Sequence, residues 1–214
     1  MKAIAINGSP RKSWNTATLL DKALEGAASV GAETERINLY DLQYKGCTSC
    51  FACIRNGSKF RGHCAMRDDL TPVLEKCMQS DLILLGSPIY LGDITSGTRA
   101  FLERLIFMNY SYEKERSTYF TGKINIGFLY DMNVPADMMK EVGYDYLFQS
   151  HAAFSRVLNG TTENLIVNDT CQFNDYSKYE ASIWDAEHKA EHKKTQFPQD
   201  CEKAFALGAR LLKA

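Results

Sequence analysis

The sequence lacks the glycine patterns of the two best-known nucleotide-binding loops. After Gly8 no further glycine occurs before Gly26. A P-loop needs a second glycine followed by lysine and serine or threonine, and a dinucleotide loop needs the pattern G-x-G-x-x-G. Neither loop is therefore present near the N-terminus.

The sequence also lacks a long apolar run and an excess of charge of either sign. No stretch approaches the roughly 20 apolar residues that cross a bilayer, so we expect no membrane partner. The 25 basic and 26 acidic residues give a formal net charge of -1, so nothing favours nucleic acid as a partner. The chain starts with a strand-like segment rather than a charged and then apolar leader, which predicts a cytoplasmic protein.

Cysteine is present in an odd number, which is unusual for a disulfide framework. Four of the seven cysteines lie between positions 47 and 64. In a chain without an export signal, this crowding favours reduced thiols or metal ligation over disulfides.

The first 20 residues combine a strand, a turn and the start of a helix. Residues 2–7 hold an unbroken apolar run, typical of a strand covered on both faces, and Gly8 ends it. A helical pattern begins at Asn15 or Thr16, which can serve as the N-cap. Free N–H groups at such a helix start, with nearby hydroxyls and Arg11, can bind a phosphate. The alternative is an ordinary capped turn.

Further along the chain, strand patterns alternate with helical patterns. The strands are expected at 33–39, 82–86, 123–130 and 164–167. Five strands alternating with about five helices predict a doubly wound α/β sandwich with a parallel sheet and helices on both faces. We expect a single domain over residues 1–214, with a cysteine-rich loop at 40–68 and a polar excursion at 168–197.

Two loops that follow strands are expected at the same edge of this sheet. The loop after the third strand, residues 87–93, is apolar and aromatic, whereas the loop after the first strand is rich in hydroxyl groups. Ligands of open α/β sheets bind just beyond the carboxyl ends of the strands. This pair of loops predicts a ligand with a phosphate at one end and a flat ring at the other. Residues 130–133, after the fourth strand, form a third candidate ligand loop.

The sequence Asn-Gly-Ser-Pro-Arg-x-x-x-Asn-Thr at 7–16 and the sequence Gly-Ser-Pro-Ile-Tyr at 86–90 resemble those of the flavodoxin-like NADPH-dependent FMN reductase superfamily. This resemblance implies a sheet order of 2-1-3-4-5, bound FMN, and a homodimer or homotetramer. It assigns the FMN phosphate to Ser9, Arg11, Asn15, Thr16 and the amide of Ala17. It assigns the isoalloxazine ring to Pro88, Ile89, Tyr90, Leu91 and Gly92, with Asp93 nearby.

The cysteine segment is similar to that of the iron-sulfur flavoprotein branch of the same superfamily. Cys47, Cys50 and Cys53 are spaced so that three thiolates can converge on one centre, and Cys64 can supply a fourth ligand to a [4Fe-4S] cluster. Ten residues separate Cys53 from Cys64, a longer gap than is usual in that branch. Free structural thiols and a zinc site that includes His63 are the two alternatives.

These patterns predict an oxidoreductase that takes hydride from NAD(P)H through FMN and reduces a small acceptor, such as a quinone, a nitro or azo compound, or a flavin. The alternative is an iron-sulfur flavoprotein that carries electrons between protein partners, and a third possibility is an inactive interaction protein. His188 and His192 lie four residues apart and could bind a metal. Their highly charged surroundings favour a solvated helix face instead.

Overall fold

Alternating strands and helices make up residues 1–139 and 141–214, the part of the chain that a computed structural model describes. The strands are β1 (Lys2–Asn7), β2 (Glu33–Asn38), β3 (Leu82–Tyr90), β4 (Asp93–Ile94), β5 (Ile124–Asp131) and β6 (Asn159–Val167). The helices are α1 (Asn15–Ser29), α2 (Leu70–Cys77), α3 (Ser96–Phe107), α4 (Tyr144–Ser155), α5 (Ala186–Thr195) and α6 (Phe197–Lys213). None of the helices in these ranges is long and apolar enough to cross a membrane.

Five of the strands form one parallel sheet in the order β2-β1-β3-β5-β6. The sixth, β4, has two residues and pairs antiparallel with the end of β3. With β4 left out of the count, this order is the predicted 2-1-3-4-5, so the doubly wound parallel sheet is confirmed. Because all five strands run the same way, the loops after them meet at one edge of the sheet.

Alternating side chains of the central strands feed two separate cores. Ala3 and Ala5 of β1 face α1 and α6, whereas Ile4 and Ile6 contribute to the opposite core with α2, α3 and α4. This alternation follows from the period of two in a strand. Both faces of the sheet are therefore covered, as the unbroken apolar runs in β1 and β3 predict.

Helices α1 and α6 approach each other closely through two glycines. A Cβ atom on Gly26 would lie 1.9 Å from the carbonyl oxygen of Phe205, and one on Gly208 would lie 1.8 Å from that of Ala23. Only glycine allows backbones to approach this closely. The contact fixes the position of α1, whose N-terminus lies at the edge where the loops meet.

Three predicted boundaries are wrong. The third strand, expected at 82–86 with a loop at 87–93, continues to Tyr90. The sequence also predicts one helix from Pro135 to about Ala152 or Ala153, but this segment is a 3-10 turn at Ala136–Met138 followed by α4, which begins only at Tyr144. Gly143, with φ of 71°, directly precedes α4; Lys140 lies outside the described residues. The last strand begins at Asn159 rather than Asn164. The prediction missed its first half because these residues are polar, as is possible in a strand at the edge of the sheet.

Candidate functional site

The loop that follows β1 is joined by direct hydrogen bonds to β3 and to the residue that precedes α3. The N–H of Gly8 donates to the carbonyl oxygen of Gly86 (2.8 Å), and the hydroxyl of Thr95 donates to the carbonyl oxygen of Gly8 (2.7 Å). A Cβ atom on Gly8 would lie 1.8 Å from Oγ1 of Thr98. Only a glycine fits at this crossing, so the predicted proximity of the two loops is confirmed.

A cleft opens beyond this crossing at the carboxyl edge of the sheet, and four segments of chain line it. Residues of the first two segments were predicted as site residues: Ser9, Arg11, Asn15 and Thr16 from the loop after β1 and the start of α1, and Pro88, Ile89 and Tyr90 from the end of β3. The third candidate ligand loop, expected at 130–133, contributes Asp131, Met132 and Asn133. The lining residues that were not predicted are Trp14, Thr170, Cys171 and Gln172.

The end of the cleft beside the start of α1 has the features of an anion site. Helix α1 has no side-chain cap at Trp14 and no acidic residue in its first turn, so its first N–H groups remain available for an anion. The backbone N–H of Arg11 donates to Oγ of Ser9 (3.1 Å), which shapes the loop. The guanidinium of Arg11 lies over the indole of Trp14 at 5.3 Å and donates to the carbonyl oxygen of Gln172. Arg11 therefore supplies a positive charge at the rim beside these N–H groups.

Asp131 lies at the bottom of the cleft, where β5 ends. Its carboxylate accepts a hydrogen bond from the hydroxyl of Thr16 and is 4% exposed. Burial raises the pKa of Asp131 to about 6, although the hydrogen bond from Thr16 acts in the opposite direction. The side chain therefore exchanges a proton just below neutral pH and also fixes the rotamer of Thr16.

Four predicted site residues do not line the cleft. The Ala17 side chain is buried behind it, 1% exposed, whereas the amide that was predicted to assist is one of the N–H groups in the first turn of α1. Leu91 and Gly92 form the tip of a tight hairpin with φ of 52° and 88°, and the Leu91 side chain projects fully into solvent. Asp93 pairs with Tyr90 across that hairpin, and its carboxylate accepts a hydrogen bond from the N–H of Ile94 (2.7 Å).

The polar excursion supplies a wall of the cleft that the sequence did not reveal. The indole N–H of Trp14 and the amide of Asn15 both donate to the carbonyl oxygen of Cys171, at 3.1 and 3.0 Å. Residues 170–172 directly follow β6. The rule that ligands lie beyond the ends of parallel strands could have found them.

A buried ion pair holds this wall in place. Lys189 of α5 is 2% exposed, and its ammonium group donates to the carboxylate of Asp169 and to the carbonyl oxygen of Asn133 (2.7 Å). His188 also contacts Asp169 through Nε2, and His192 lies 4.0 Å from it. The two histidines therefore face a carboxylate of the excursion, although the His188 side chain is more than half exposed, as a solvated helix face predicts.

The cysteine-rich loop is folded against α3 by a buried arginine. Arg104 is 1% exposed and donates to Asp68 (2.6 Å) and to the carbonyl oxygen of Lys45 (3.2 Å), two residues of the loop that flank its four cysteines. Cys53 is buried, and burial, with a smaller contribution from the neighbouring thiols, raises its pKa to about 11. Its thiol is therefore protonated at neutral pH.

The thiols of this loop do not form a ready metal site. Within residues 1–139 and 141–214, no group of three or more cysteine, histidine or acidic side chains is arranged to hold a metal ion. The described geometry of Cys47, Cys50, Cys53 and Cys64 therefore does not fit a preformed [4Fe-4S] or zinc site.

Comparison with known proteins agrees with this geometry. A family model described as NADPH-dependent FMN reductase matches residues 1–128. An iron-sulfur flavoprotein of Archaeoglobus fulgidus is 39% identical over 104 residues, which cover 49% of this chain and 48% of that protein. An iron-sulfur flavoprotein of Methanocaldococcus jannaschii is 38% identical over 49% of this chain and 51% of that protein. The matched segment thus spans about half the length of these relatives.

The likeness extends to the whole fold in solved structures. An NAD(P)H:quinone oxidoreductase from Methanothermobacter marburgensis superposes with a TM-score of 0.66 at 15% identity, over 99% of this chain and 96% of that one. At this identity the likeness concerns the fold alone, which is the flavodoxin-like sandwich.

Proposed function

Because this chain belongs to the NADPH-dependent FMN reductase family, we propose that it is a flavin-dependent oxidoreductase that uses NAD(P)H and binds FMN in the cleft beyond β1 and β3. The observation that carries this proposal is the hydrogen bond between Gly8 and Gly86. It holds an anion-binding helix start beside an apolar, aromatic strand end. Such a cleft matches a mononucleotide with a phosphate at one end and a planar ring at the other.

The residues of the cleft have separate roles in this proposal. The first N–H groups of α1, the hydroxyl of Ser9 and the guanidinium of Arg11 bind the phosphate, because hydrogen bonds to a charged group are roughly twice as strong as neutral ones. Pro88, Ile89 and Tyr90 lie against the ring and exclude water from one of its faces. When bound, FMN supplies hydride transfer from NAD(P)H to a second acceptor.

We propose that the acceptor is a small planar molecule, with a quinone as the first candidate and nitro, azo and flavin compounds as the others. The Tyr90 side chain is 47% exposed, so the ring end of the cleft is open to a molecule of this size. A solved neighbour of the same fold is titled a quinone oxidoreductase, which supports this choice.

The phosphate assignment is tested with Arg11→Gln. Removing a charge-assisted hydrogen bond weakens binding by about 1.5–3 kcal/mol, so FMN affinity should fall about 10- to 100-fold in a flavin-fluorescence titration. Riboflavin, which lacks the phosphate, should bind both proteins equally. Arg116→Gln, at an exposed site away from the cleft, is the matched control. Equal loss of riboflavin affinity would place the phosphate elsewhere.

The enzymatic assignment is tested by steady-state turnover. FMN-loaded protein should oxidise NADPH in the presence of a naphthoquinone, at a rate proportional to the bound flavin. Absence of turnover by fully loaded protein with every acceptor class named above would refute it and favour an interaction protein.

A second candidate function is an electron carrier with a [4Fe-4S] cluster in the cysteine-rich loop. The names of the curated relatives and the close sequence spacing of Cys47, Cys50 and Cys53 support it, although the described geometry does not. Iron analysis after anaerobic purification separates the two candidates, because a cluster requires about four irons per chain. A flavin spectrum without iron favours the reductase.

The proposal also includes the oligomeric state and the cellular location of the protein. We propose a homodimer or homotetramer, which light scattering of the purified protein would test. All seven cysteines are free thiols, which is typical of a reducing compartment and supports a cytoplasmic location.

A further inference from the structure

A second cleft lies between α3, α4 and the cysteine-rich loop, and no residue lines both it and the cofactor cleft. Its volume is about 590 Å³, within the range of small-molecule sites. Aromatic side chains dominate its walls: Phe51, Phe107, Tyr110, Tyr112 and Phe154. The rings of Phe51 and Phe107, of Phe107 and Tyr112, and of Tyr112 and Tyr110 pack edge to face, with centroids 5.2 to 6.4 Å apart. Such walls fit a flat aromatic molecule.

His151 places a polar group at the depth of this cleft. The side chain is 2% exposed, lines the cleft, and its Nε2 has no hydrogen-bond partner among the described residues. A buried polar atom without a partner is rare and destabilises the folded protein. An occupant that supplied the missing partner would remove this penalty.

The hydrogen bond at Nδ1 of the imidazole determines whether Nε2 is a donor or an acceptor. Nδ1 lies 3.0 Å from the hydroxyl of Tyr130, and within residues 1–139 and 141–214 that hydroxyl has no other partner. Burial raises the pKa of Tyr130 above its ordinary value, so the phenol keeps its proton. It must donate this proton to Nδ1, since otherwise a buried O–H would remain unpaired. Nε2 therefore carries the single proton of the neutral ring, and it is an unpaired donor on a side chain that lines the cleft.

The charged and titratable groups around His151 leave its ring neutral. Burial lowers its pKa, the carboxylate of Asp93 acts in the opposite direction, and the guanidinium of Arg99 adds to the lowering. Arg99 itself pairs with Glu103 at 3.4 Å on the rim of the cleft. The floor of the cleft is thus an uncharged N–H, while the charges remain at the rim.

We propose that this cleft is a second binding site, for a planar aromatic molecule whose carbonyl oxygen accepts the hydrogen bond from Nε2 of His151. Aryl ketones and quinones have this chemistry. An apolar side chain from a second copy of the chain could fill the cleft, but it would leave the N–H of His151 unpaired. The unpaired N–H of His151 therefore favours a ligand that carries a hydrogen-bond acceptor.

The test compares two probes that differ only in the acceptor, 2-acetylnaphthalene and 2-ethylnaphthalene. Binding to the FMN-loaded protein is measured by calorimetry, so no turnover is required and failure of the proposed reductase activity would leave the result intact. The ketone should bind about 3- to 10-fold more tightly than the hydrocarbon, the range expected for one net hydrogen bond. Equal affinities, or no binding of either probe, would overturn the proposal.

Three variants locate the effect. His151→Phe should bind both probes equally, whereas His151→Gln, which retains an N–H donor, should keep the preference for the ketone. Phe154→Asp, at a half-exposed position on the lip of the cleft, should abolish binding of both probes without disturbing the core. A preference for the ketone that survives in His151→Phe would contradict the assignment. The assignment would also be contradicted if the wild-type protein is a dimer that binds neither probe and Phe154→Asp dissociates that dimer.

Discussion

Replacing Asp131 by asparagine should make the protein more stable at neutral pH. Asp131 is buried at the end of β5, and its pKa is raised from 3.8 to about 6 because burial disfavours the carboxylate. Each factor of ten in proton affinity corresponds to about 1.4 kcal/mol. The buried charge therefore lowers the free energy of unfolding by about 3 kcal/mol at pH 7 and above. Asparagine has nearly the same shape, carries no charge, and can still accept the hydrogen bond from Thr16.

The direction in which stability changes with pH follows from the number of protons that the folded and the unfolded chain bind. Below pH 3.8 the carboxyl group is protonated in both the folded and the unfolded chain, and the two proteins should differ little. Between that pH and about 6 the unfolded chain has lost its proton while the folded chain keeps it, so wild-type stability falls as pH rises. The advantage of Asp131→Asn should grow over this range and level off at up to about 3 kcal/mol above pH 6.

The assay is urea unfolding of flavin-free protein at half-unit steps between pH 4.5 and 8. Asp175→Asn provides a control, because hydrogen bonds from Ser177 and Lys178 lower the pKa of the exposed Asp175 from its ordinary value of 3.8. Asp175 therefore ionises below this pH range, and the difference in stability between that variant and wild type should not change with pH across it. A difference between Asp131→Asn and wild type that does not change with pH, or a less stable variant at pH 8, would show that burial does not govern this carboxyl group.

Two further substitutions test how the cleft is held together. Lys189→Met should lower the free energy of unfolding by about 3 kcal/mol, because it leaves Asp169 without its buried partner; Lys178→Met, at an exposed pair, should change it by less than about 1 kcal/mol. Gly8→Ala should destabilise by about 1–3 kcal/mol and abolish FMN binding, because the new methyl group would lie 1.8 Å from Oγ1 of Thr98. Adding Thr98→Ala should recover part of the loss in a thermal melt, and no recovery would show that the crossing of the two loops is not the cause.

The sequence predicted the parallel sheet because its evidence is local. The apolar runs at 3–6 and 82–85 are typical of strands covered on both faces. The position of the loops then followed from the rule that parallel strands end at one edge. For the same reason residues 9, 11, 15, 16 and 88–90 line the cleft as predicted. Leu91 does not line it, because the chain turns away through a hairpin with positive φ, which proximity in sequence does not reveal.

The missed residues depend on long-range contacts that leave no local pattern. Lys189 lies in a run of charged residues that resembles a solvated helix, yet it is buried against a carbonyl oxygen 56 residues away. Nothing in the composition of α5 separates Lys189 from the lysines at 193 and 194. Only the tertiary position of Asp169 makes one of them a buried partner, and single-sequence reasoning cannot supply that position.

The cleft is built from two parts of the chain with different sequence signals. The family match ends at residue 128 and contains the Gly8–Gly86 crossing, the anion end and the apolar strand end. The opposite wall, residues 131–133 and 170–172, lies beyond that match and is attached by the buried ion pair of Lys189 and Asp169. A buried charge pair is a weak source of stability but is strongly unfavourable to break. It therefore fixes the position of this wall, and with it the carbonyl oxygens of Cys171 and Gln172 that accept hydrogen bonds from Arg11, Trp14 and Asn15 at the anion end of the cleft.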